Sequence, residues 1–369
     1  MKALHLCAYY LYSYMFSHLI DSLEAQKIDC DVFVPTHKNT EIAINPADNV
    51  YHPVCFNYYD RAWFSLKSKK IYACLIQTLN IDKYDIVHAH TIFTDGNIAL
   101  KLKKEYGKPY LIAVRSTDLE VFFKYMIHLR ALGIEIMSGA SKIIFLSDTH
   151  RRYTIETYVP KSKRNEFYAK SIVIPNGIAP IFHENRLEYK QCDLTPPIKL
   201  ITIGDISKRK NQITVCNAVD VLKKRGYEVS YTVVGKATDQ AMYENLITNP
   251  AVRYFPFMPQ EKLLELYRKA DIFVLASLKE TFGLVYAEAM SQGLPVVYTK
   301  DEGFDGQFPE GEVGYHVNPQ SPDEIADAVE QILEKYNTLR KNCIEGINKF
   351  DWDVVAANCK EIYRNVIGI

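Results

Sequence analysis

Short apolar runs alternate with amphipathic stretches along nearly the whole chain. In the first half, Lys2–Cys7, Cys30–Val34, Ile86–His88, Tyr110–Val114, Lys142–Leu146 and Ile172–Ile174 are rich in β-branched residues and bounded by loops. Continuous runs of this kind predict strands buried on both faces. Between them, Ser13–Gln26, Trp63–Leu79, Gly96–Tyr106 and His128–Ser138 carry apolar residues at helical spacing. The second half repeats the scheme, with strands at Lys199–Ile203, Ser230–Val234, Val252–Phe255, Ile272–Leu275 and Val296–Val297. Its helices are expected at Gln212–Arg225, Gln240–Ile247, Glu261–Lys269, Val285–Gln292 and Pro322–Lys335. Buried strands alternating with helices specify parallel sheets covered on both sides, here twice: an α/β chain of two doubly wound, Rossmann-like domains. Ligands of such sheets lie beyond the strand C-termini, so two facing domains would hold one in the cleft between them.

The domain boundary is expected between Ile178 and Ile198, because Asn176-Gly177 is a turn signal and Glu184–Pro197 is polar with a Pro-Pro pair. The domains then run over 1–180 and 196–350. A chain of 369 residues is too long for one typical domain, in agreement. Lys+Arg and Asp+Glu are both 44, so no global charge argues for nucleic acid. A mild basic excess in the first half sits partly in Arg151-Arg152 and Lys161-Ser162-Lys163-Arg164. That run reads either as a solvated loop or as contact with an anionic membrane surface or lipid diphosphate. Eight scattered cysteines form no Cys-x-x-Cys pair, so reduced cytosolic thiols are the expectation and zinc is not. The apolar start of the chain is interrupted by Ser13, Ser17 and His18 and leads into Asp21, as a first strand and helix would. No stretch is apolar enough to span a bilayer; the expected setting is the cytoplasm, including the inner face of the membrane.

The candidate chemistry centres on Lys279-Glu280-Thr281-Phe282-Gly283-Leu284-Val285-Tyr286-Ala287-Glu288-Ala289-Met290, directly after an apolar run. A strand, a short loop and a helix beginning near Thr281 are predicted. The amides of Phe282, Gly283 and Leu284 would then be first-turn donors, a ready anion site. Glu280 stands just before the helix and Glu288 about two turns in. Carboxylates beside an anion site serve best as acceptors for hydroxyls, which together describes a nucleotide-sugar pocket. Gly204-Asp205-Ile206-Ser207-Lys208-Arg209-Lys210-Asn211 also follows a buried strand and precedes a helix. Three consecutive cations at a helix start conflict with its dipole unless an anion sits there, and a diphosphate meets that need.

The Glu-Thr-Phe-Gly-Leu and Glu-Ala-Met segments, with Gly293-Leu294-Pro295-Val296-Val297 after them, resemble the Glu-x7-Glu motif of retaining glycosyltransferases of family 4, which have the two-domain GT-B fold. The resemblance places Glu280 against the donor sugar and Glu288 on the ribose of the nucleotide. It makes Gly204, Lys208, Arg209, Lys210, Thr281, Phe282, Gly283 and Leu284 donor-binding, with base recognition near Phe257-Met258. Gly204, Ile206, Lys210 and Asn211 match the family's phosphate loop, but Asp205 replaces its arginine, a loss for which Lys208 or Arg209 could compensate. Asp85-Ile86-Val87-His88-Ala89-His90 matches the family's Asp-x-x-His-x-His strand end, where His88 reads as core and His90 as either core or ligand-facing. No third ligand is evident for a metal there. Arg115-Ser116-Thr117-Asp118 replaces the His-Gly-x-Asp found in many members. Arg115 is no base; it could stabilise a leaving diphosphate or a carboxylated sugar, or simply pair with Asp118. Tyr9, Tyr10 and Tyr12, in a first loop lacking the family's paired glycines, are acceptor-stacking candidates or core. Phe350-Asp351-Trp352 and the helix after it resemble the segment, here 351–369, that crosses back to the first domain.

These matches imply transfer of a sugar from a nucleoside-diphosphate sugar, a co-substrate, to a hydroxyl of a glycan or lipid-linked acceptor. The implied catalytic set is Glu280, Lys210, Arg115, Asp118 and His90, with no metal and no other cofactor. The implied setting is bacterial surface polysaccharide or lipopolysaccharide synthesis. The alternatives are a nucleotide-sugar epimerase of the same fold and a catalytically silent nucleotide-binding or scaffold protein.

Overall fold

The structure is a computed structural model and describes residues 1–369. The chain folds as two compact units, one formed by Met1–Gly177 with Trp352–Ile369, the other by Ile178–Asp351. The first holds a seven-stranded parallel sheet of β1 (Lys2–Leu6), β2 (Asp29–Phe33), β3 (Val50–Tyr51), β4 (Ile86–Ala89), β5 (Tyr110–Ala113), β6 (Lys142–Phe145) and β7 (Ser171–Val173), in the order 3-2-1-4-5-6-7. The second holds β8 (Ile198–Ile203), β9 (Val229–Val234), β10 (Val252–Phe255), β11 (Ile272–Val274), β12 (Val296–Thr299) and β13 (Gly314–Val317), also parallel, in the order 10-9-8-11-12-13.

Helices connect the strands. In the first unit these are α1 (Tyr14–Ala25), α2 (Phe64–Thr78), α3 (Asn97–Tyr106), α4 (Arg130–Gly139), α5 (Asp148–Tyr158) and α6 (Arg164–Lys170). The second carries α7 (Pro180–Glu184), α8 (Gln212–Lys224), α9 (Gln240–Ile247), α10 (Gln260–Tyr267), α11 (Leu284–Ser291), α12 (Pro322–Glu334) and α13 (Tyr336–Gly346). The last helix, α14 (Trp352–Ile367), belongs to the first unit.

Strand alternation divides the first unit's core into two layers. Leu4, Leu6, Val87 and Ala89 pack with Ile71, Leu75 and Leu102 of α2 and α3. Ala3, Cys30, Val32 and Ile86 pack instead with Leu19 and Leu23 of α1 and with Val355, Cys359 and Tyr363 of α14. Gln26 donates to the Asp353 carbonyl at 2.7 Å and Lys360 to the Gln26 carbonyl at 2.8 Å, which fastens α14 to α1.

Two edge strands, β3 and β13, have no counterpart in the hydrophobic pattern. β3 is two residues long, and β13 is buried only at its ends, so neither makes a continuous apolar run. α11 starts at Leu284, not near Thr281: Gly283 takes the N-cap position at φ +76°, ahead of the first helical residue.

Candidate active site

The second unit brings its predicted residues together at the C-terminal ends of β8 and β11. The loop after β8 is drawn against the tip of β9: Gly204 N–H donates to the Val234 carbonyl and Ile206 N–H to the Lys236 carbonyl, both at 2.8 Å. A Cβ on Gly235 would lie 2.2 Å from the Gly204 carbonyl oxygen, so the approach requires glycine there. Asn211, in the left-handed region at φ +57°, ends the loop. Its side-chain amide donates to the Ala276 carbonyl at 2.9 Å and the Pro319 carbonyl at 2.6 Å, tying this loop to the one after β11. Leu278 N–H donates to the Arg209 carbonyl at 2.8 Å, a second stitch between the two loops.

Across that seam Lys210 Nζ meets Glu280 Oε2 at 2.5 Å, with Arg209 3.8 Å from the same oxygen. Glu280 is buried and also accepts from Ser277 Oγ at 3.4 Å and from the Thr281 amide at 3.3 Å. The Thr281 amide is therefore spoken for, and with the helix starting at Leu284 the first-turn donors lie at Leu284 and Val285. The sharp turn before them needs glycine, because a Cβ on Gly283 would lie 2.5 Å from the Tyr286 ring. Phe282 is buried against Phe350, their ring centroids 5.9 Å apart, and serves as a packing residue.

Glu288 lies on α11, 9% exposed, and accepts a hydrogen bond from the Tyr267 hydroxyl at 3.2 Å. Burial raises its carboxyl to about 7. It is poised between acid and anion near neutrality, and hydroxyl donors would favour the anion. Tyr267, which no sequence motif marks, is fully buried on α10 and orients this carboxyl. Lys208 and Asp205 are exposed on the β8 loop, and Asp205 accepts from the Lys236 amide at 3.3 Å. Phe257 is exposed beside Lys236 Nζ, 5.3 Å from its ring. With Met258 it borders a cavity of 770 Å³ that extends over Thr232, Arg253 and Leu266, and none of Lys210, Glu280 or Glu288 lines it. Of the predicted donor residues, that cavity takes Phe257 and Met258 alone.

The first unit treats its predicted residues differently. Arg115 is half-buried, donating from Nε to the His90 carbonyl at 3.3 Å and from a terminal nitrogen to Asn176 Oδ1 at 2.8 Å, with its guanidinium over the Phe16 ring. Asp118 receives the amides of Ile92, Phe93 and Arg115 at 3.0, 3.2 and 3.0 Å, and burial raises its carboxyl to about 6. It does not pair with the Arg115 guanidinium but closes the backbone turn. Asp95, which the motifs did not single out, accepts from Thr91 Oγ1 at 2.9 Å and the Ala8 amide at 3.2 Å, and burial raises it to about 7. Tyr10 is packed in the core, so stacking on an acceptor is left to Tyr9 and Tyr12, both exposed.

His90 is 2% exposed, and it does have a third imidazole nearby: His5 of β1, paired in register with His88 of β4. Strand alternation puts all three on the α1/α14 side of the sheet. His5 Nδ1 lies 3.0 Å from His90 Nε2, and His88 Nδ1 lies 2.6 Å from the Tyr363 hydroxyl. Burial pushes His5 down to about 3 and the other two well below their usual range, so all three are neutral. The remaining nitrogens, His5 Nε2, His88 Nε2 and His90 Nδ1, have no partner. A neutral imidazole carries one proton, and one proton lies between His5 and His90. One of that pair therefore always presents a bare nitrogen and the other an N–H. Three lone pairs cannot converge on a metal while this hydrogen bond stands.

Residues 190–350 match the family model of glycosyl transferases group 1, and residues 14–180 that of glycosyltransferase family 4. The chain is 26% identical over 319 residues to an uncharacterized glycosyltransferase of Methanocaldococcus jannaschii, covering 78% of this chain and 76% of that protein. It is 24% identical over 310 residues to the alpha-monoglucosyldiacylglycerol synthase of Acholeplasma laidlawii, covering 77% and 76%. Among solved structures it is similar to Anabaena HepE in complex with UDP, at a TM-score of 0.73 and 17% identity over 99% of this chain and 100% of that one. The architecture is GT-B.

Proposed function

The chain belongs to the group 1 and family 4 glycosyltransferases, and on that premise we propose that it is a retaining enzyme acting on a nucleoside-diphosphate sugar. The proposed acceptor is a hydroxyl of a glycan or lipid-linked intermediate in bacterial surface polysaccharide or lipopolysaccharide assembly. The observation that carries this reading is the Lys210–Glu280 pair at 2.5 Å, with Arg209 beside it, between the glycine loop and the start of α11. The cations are held in place by a carboxylate that a diphosphate can displace.

In the proposed reaction the bond from the anomeric carbon to the diphosphate breaks, and charge gathers on the leaving phosphate. Lys210, Arg209 and the α11 amides stabilise that charge with donors already in position, so the protein's own cations take the role a metal plays elsewhere. Glu280, released from Lys210, accepts from a sugar hydroxyl, and Glu288 accepts from the ribose. The acceptor hydroxyl attacks from the face the diphosphate leaves, and its proton passes to the departing phosphate. The Anabaena complex supports UDP as the first nucleotide to try. The name of the Acholeplasma relative supports a lipid acceptor.

Calorimetric titration of UDP, GDP and ADP into the wild type and a Glu288→Ala variant tests the reading. One nucleotide should bind, and the variant should lose about tenfold or more in affinity, as loss of a charge-assisted hydrogen bond implies. Equal binding by the variant would remove Glu288 from the ribose. Turnover of the sugar nucleotide without any acceptor would favour an epimerase instead.

A further inference from the structure

Trp63 is 63% exposed at the start of α2, and Leu66, Lys69, Ala73 and Ile76 follow it in steps of three or four along the outward side. The inward side of the same helix already buries Ile71 and Leu75 in the core. A helix that faces water on its outer side has no use for a second apolar stripe. A second segment adds to it. Phe122 meets Phe64 of α2 at 6.0 Å and stacks on Phe93 at 4.6 Å, and just beyond Phe122 stand Tyr125, 71% exposed, and Ile127. The two segments are thus joined through Phe64 and Phe122, both half-buried and packed edge to face over the buried Phe93.

Cations are interleaved with them. From Asp60 to Lys70 there are four basic residues and one carboxylate, and Lys70 occupies that carboxylate at 2.6 Å. Arg61 and Lys69 are exposed, the latter in the middle of the stripe, where a shallow recess of 490 Å³ is lined by Trp63, Ser65, Leu66 and Lys69. A protein interface would deplete charge from the centre of its patch. A bilayer surface favours aromatic rings at headgroup depth and cations against anionic phosphates. In the other basic run, Arg151 pairs with Asp148 and Arg164 donates to the carbonyls of Glu156 and Val159, while Arg152, Lys161 and Lys163 are exposed with no exposed large apolar group interleaved among them but Tyr153.

We propose that the outward face of α2, with the Tyr125–Ile127 turn, docks this unit on an anionic lipid bilayer. The proposal deepens the reading of a lipid-linked acceptor and rests on it. The test is sedimentation of the full chain with vesicles of phosphatidylcholine, with and without phosphatidylglycerol. The expected result is binding to the anionic vesicles that weakens as salt rises. A blue shift in tryptophan emission should accompany it, reported by Trp63 because the other tryptophan, Trp352, is buried. Trp63→Ser and, on the separate segment, Tyr125→Ser should each lower partition about tenfold, and Lys69→Gln about fivefold with a shallower salt dependence.

UDP affinity measured on the same samples should be unchanged, which certifies the fold of each variant. Indifference of the wild type to anionic lipid would overturn the proposal, and so would full binding by both serine variants. Self-association that Trp63→Ser abolishes, without vesicle binding, would assign the face to a second copy and overturn it too. Loss of UDP binding in the wild type with vesicle binding intact would sink the donor-site reading and leave the docking face standing.

Discussion

Charged groups at the strand ends are held in two ways. Beyond β8 and β11, Lys210 and Glu280 satisfy each other, side chain to side chain. Beyond β4 and β5, Asp118 is sealed by three backbone amides, and Asp95 by the Thr91 hydroxyl together with the Ala8 amide. A side-chain pair can exchange one partner for a ligand and leave the loops where they are. A carboxylate closed by several amides cannot leave without opening the turn it holds. The same residue types therefore form a side-chain pair open to exchange in one unit and scaffold in the other.

The contrast can be broken at several points. The largest effect belongs to Gly235→Val, which forces a side chain onto the Gly204 carbonyl at 2.2 Å and should cost on the order of 3 kcal/mol, read as a fall in the thermal midpoint and loss of nucleotide binding. Lys210→Ala should lower turnover by about a hundredfold or more, as loss of a donor to a leaving group does; steady-state kinetics near the wild-type rate would exclude it from the chemistry. Glu280→Gln separates exchange from scaffolding most sharply. Lys210 then loses its competitor, so affinity for the bare nucleoside diphosphate should rise about threefold or more while sugar transfer falls about a hundredfold. Weaker diphosphate binding in calorimetry would mean that Glu280 organises the loop and does not compete.

Two smaller effects depend on pH. Glu288 is raised to about 7, and hydroxyl donors favour its anion, so nucleotide affinity should rise between pH 6 and 8 by less than tenfold per unit. The diphosphate itself titrates nearby, so the decisive quantity is the difference from Glu288→Gln, which should lack this component. Asp95 is also raised to about 7, so the folded protein binds its proton more tightly than the unfolded chain does. Its contribution to stability is present below about pH 4 and lost as pH rises through 7. Asp95→Asn should flatten that part of the profile in denaturant titrations from pH 5 to 8; an unchanged profile would mean that another group carries the dependence.

Legibility followed the same division. The strands with continuous apolar runs, the glycine loop and the two glutamates could be read because each signal lies within a dozen consecutive residues. Residues whose role comes from a partner far along the chain could not. Tyr267 matters through Glu288, 21 residues later, and His5 through His90, 85 residues away. Tyr10 looks like Tyr9 and Tyr12 in sequence, and the 3-10 turn at Tyr10–Tyr12 sends it and Leu11 inward while Tyr9 and Tyr12 face out. β13 was invisible because its middle residues are only half-buried.

The attachment of α14 to the first unit has a consequence for biosynthesis. Val355, Cys359 and Tyr363 line the layer that also holds Ala3 and Val32, yet they leave the ribosome after the entire second unit. The nascent first unit must wait with that layer covered by α1 alone while 174 residues, Ile178 to Asp351, are made and can fold on their own. Tyr363 reaches His88 across a sequence separation of 275 residues, so closure of this layer is a late event. A ribosome stalled before Trp352 would display the missing face to any chaperone that binds apolar surface.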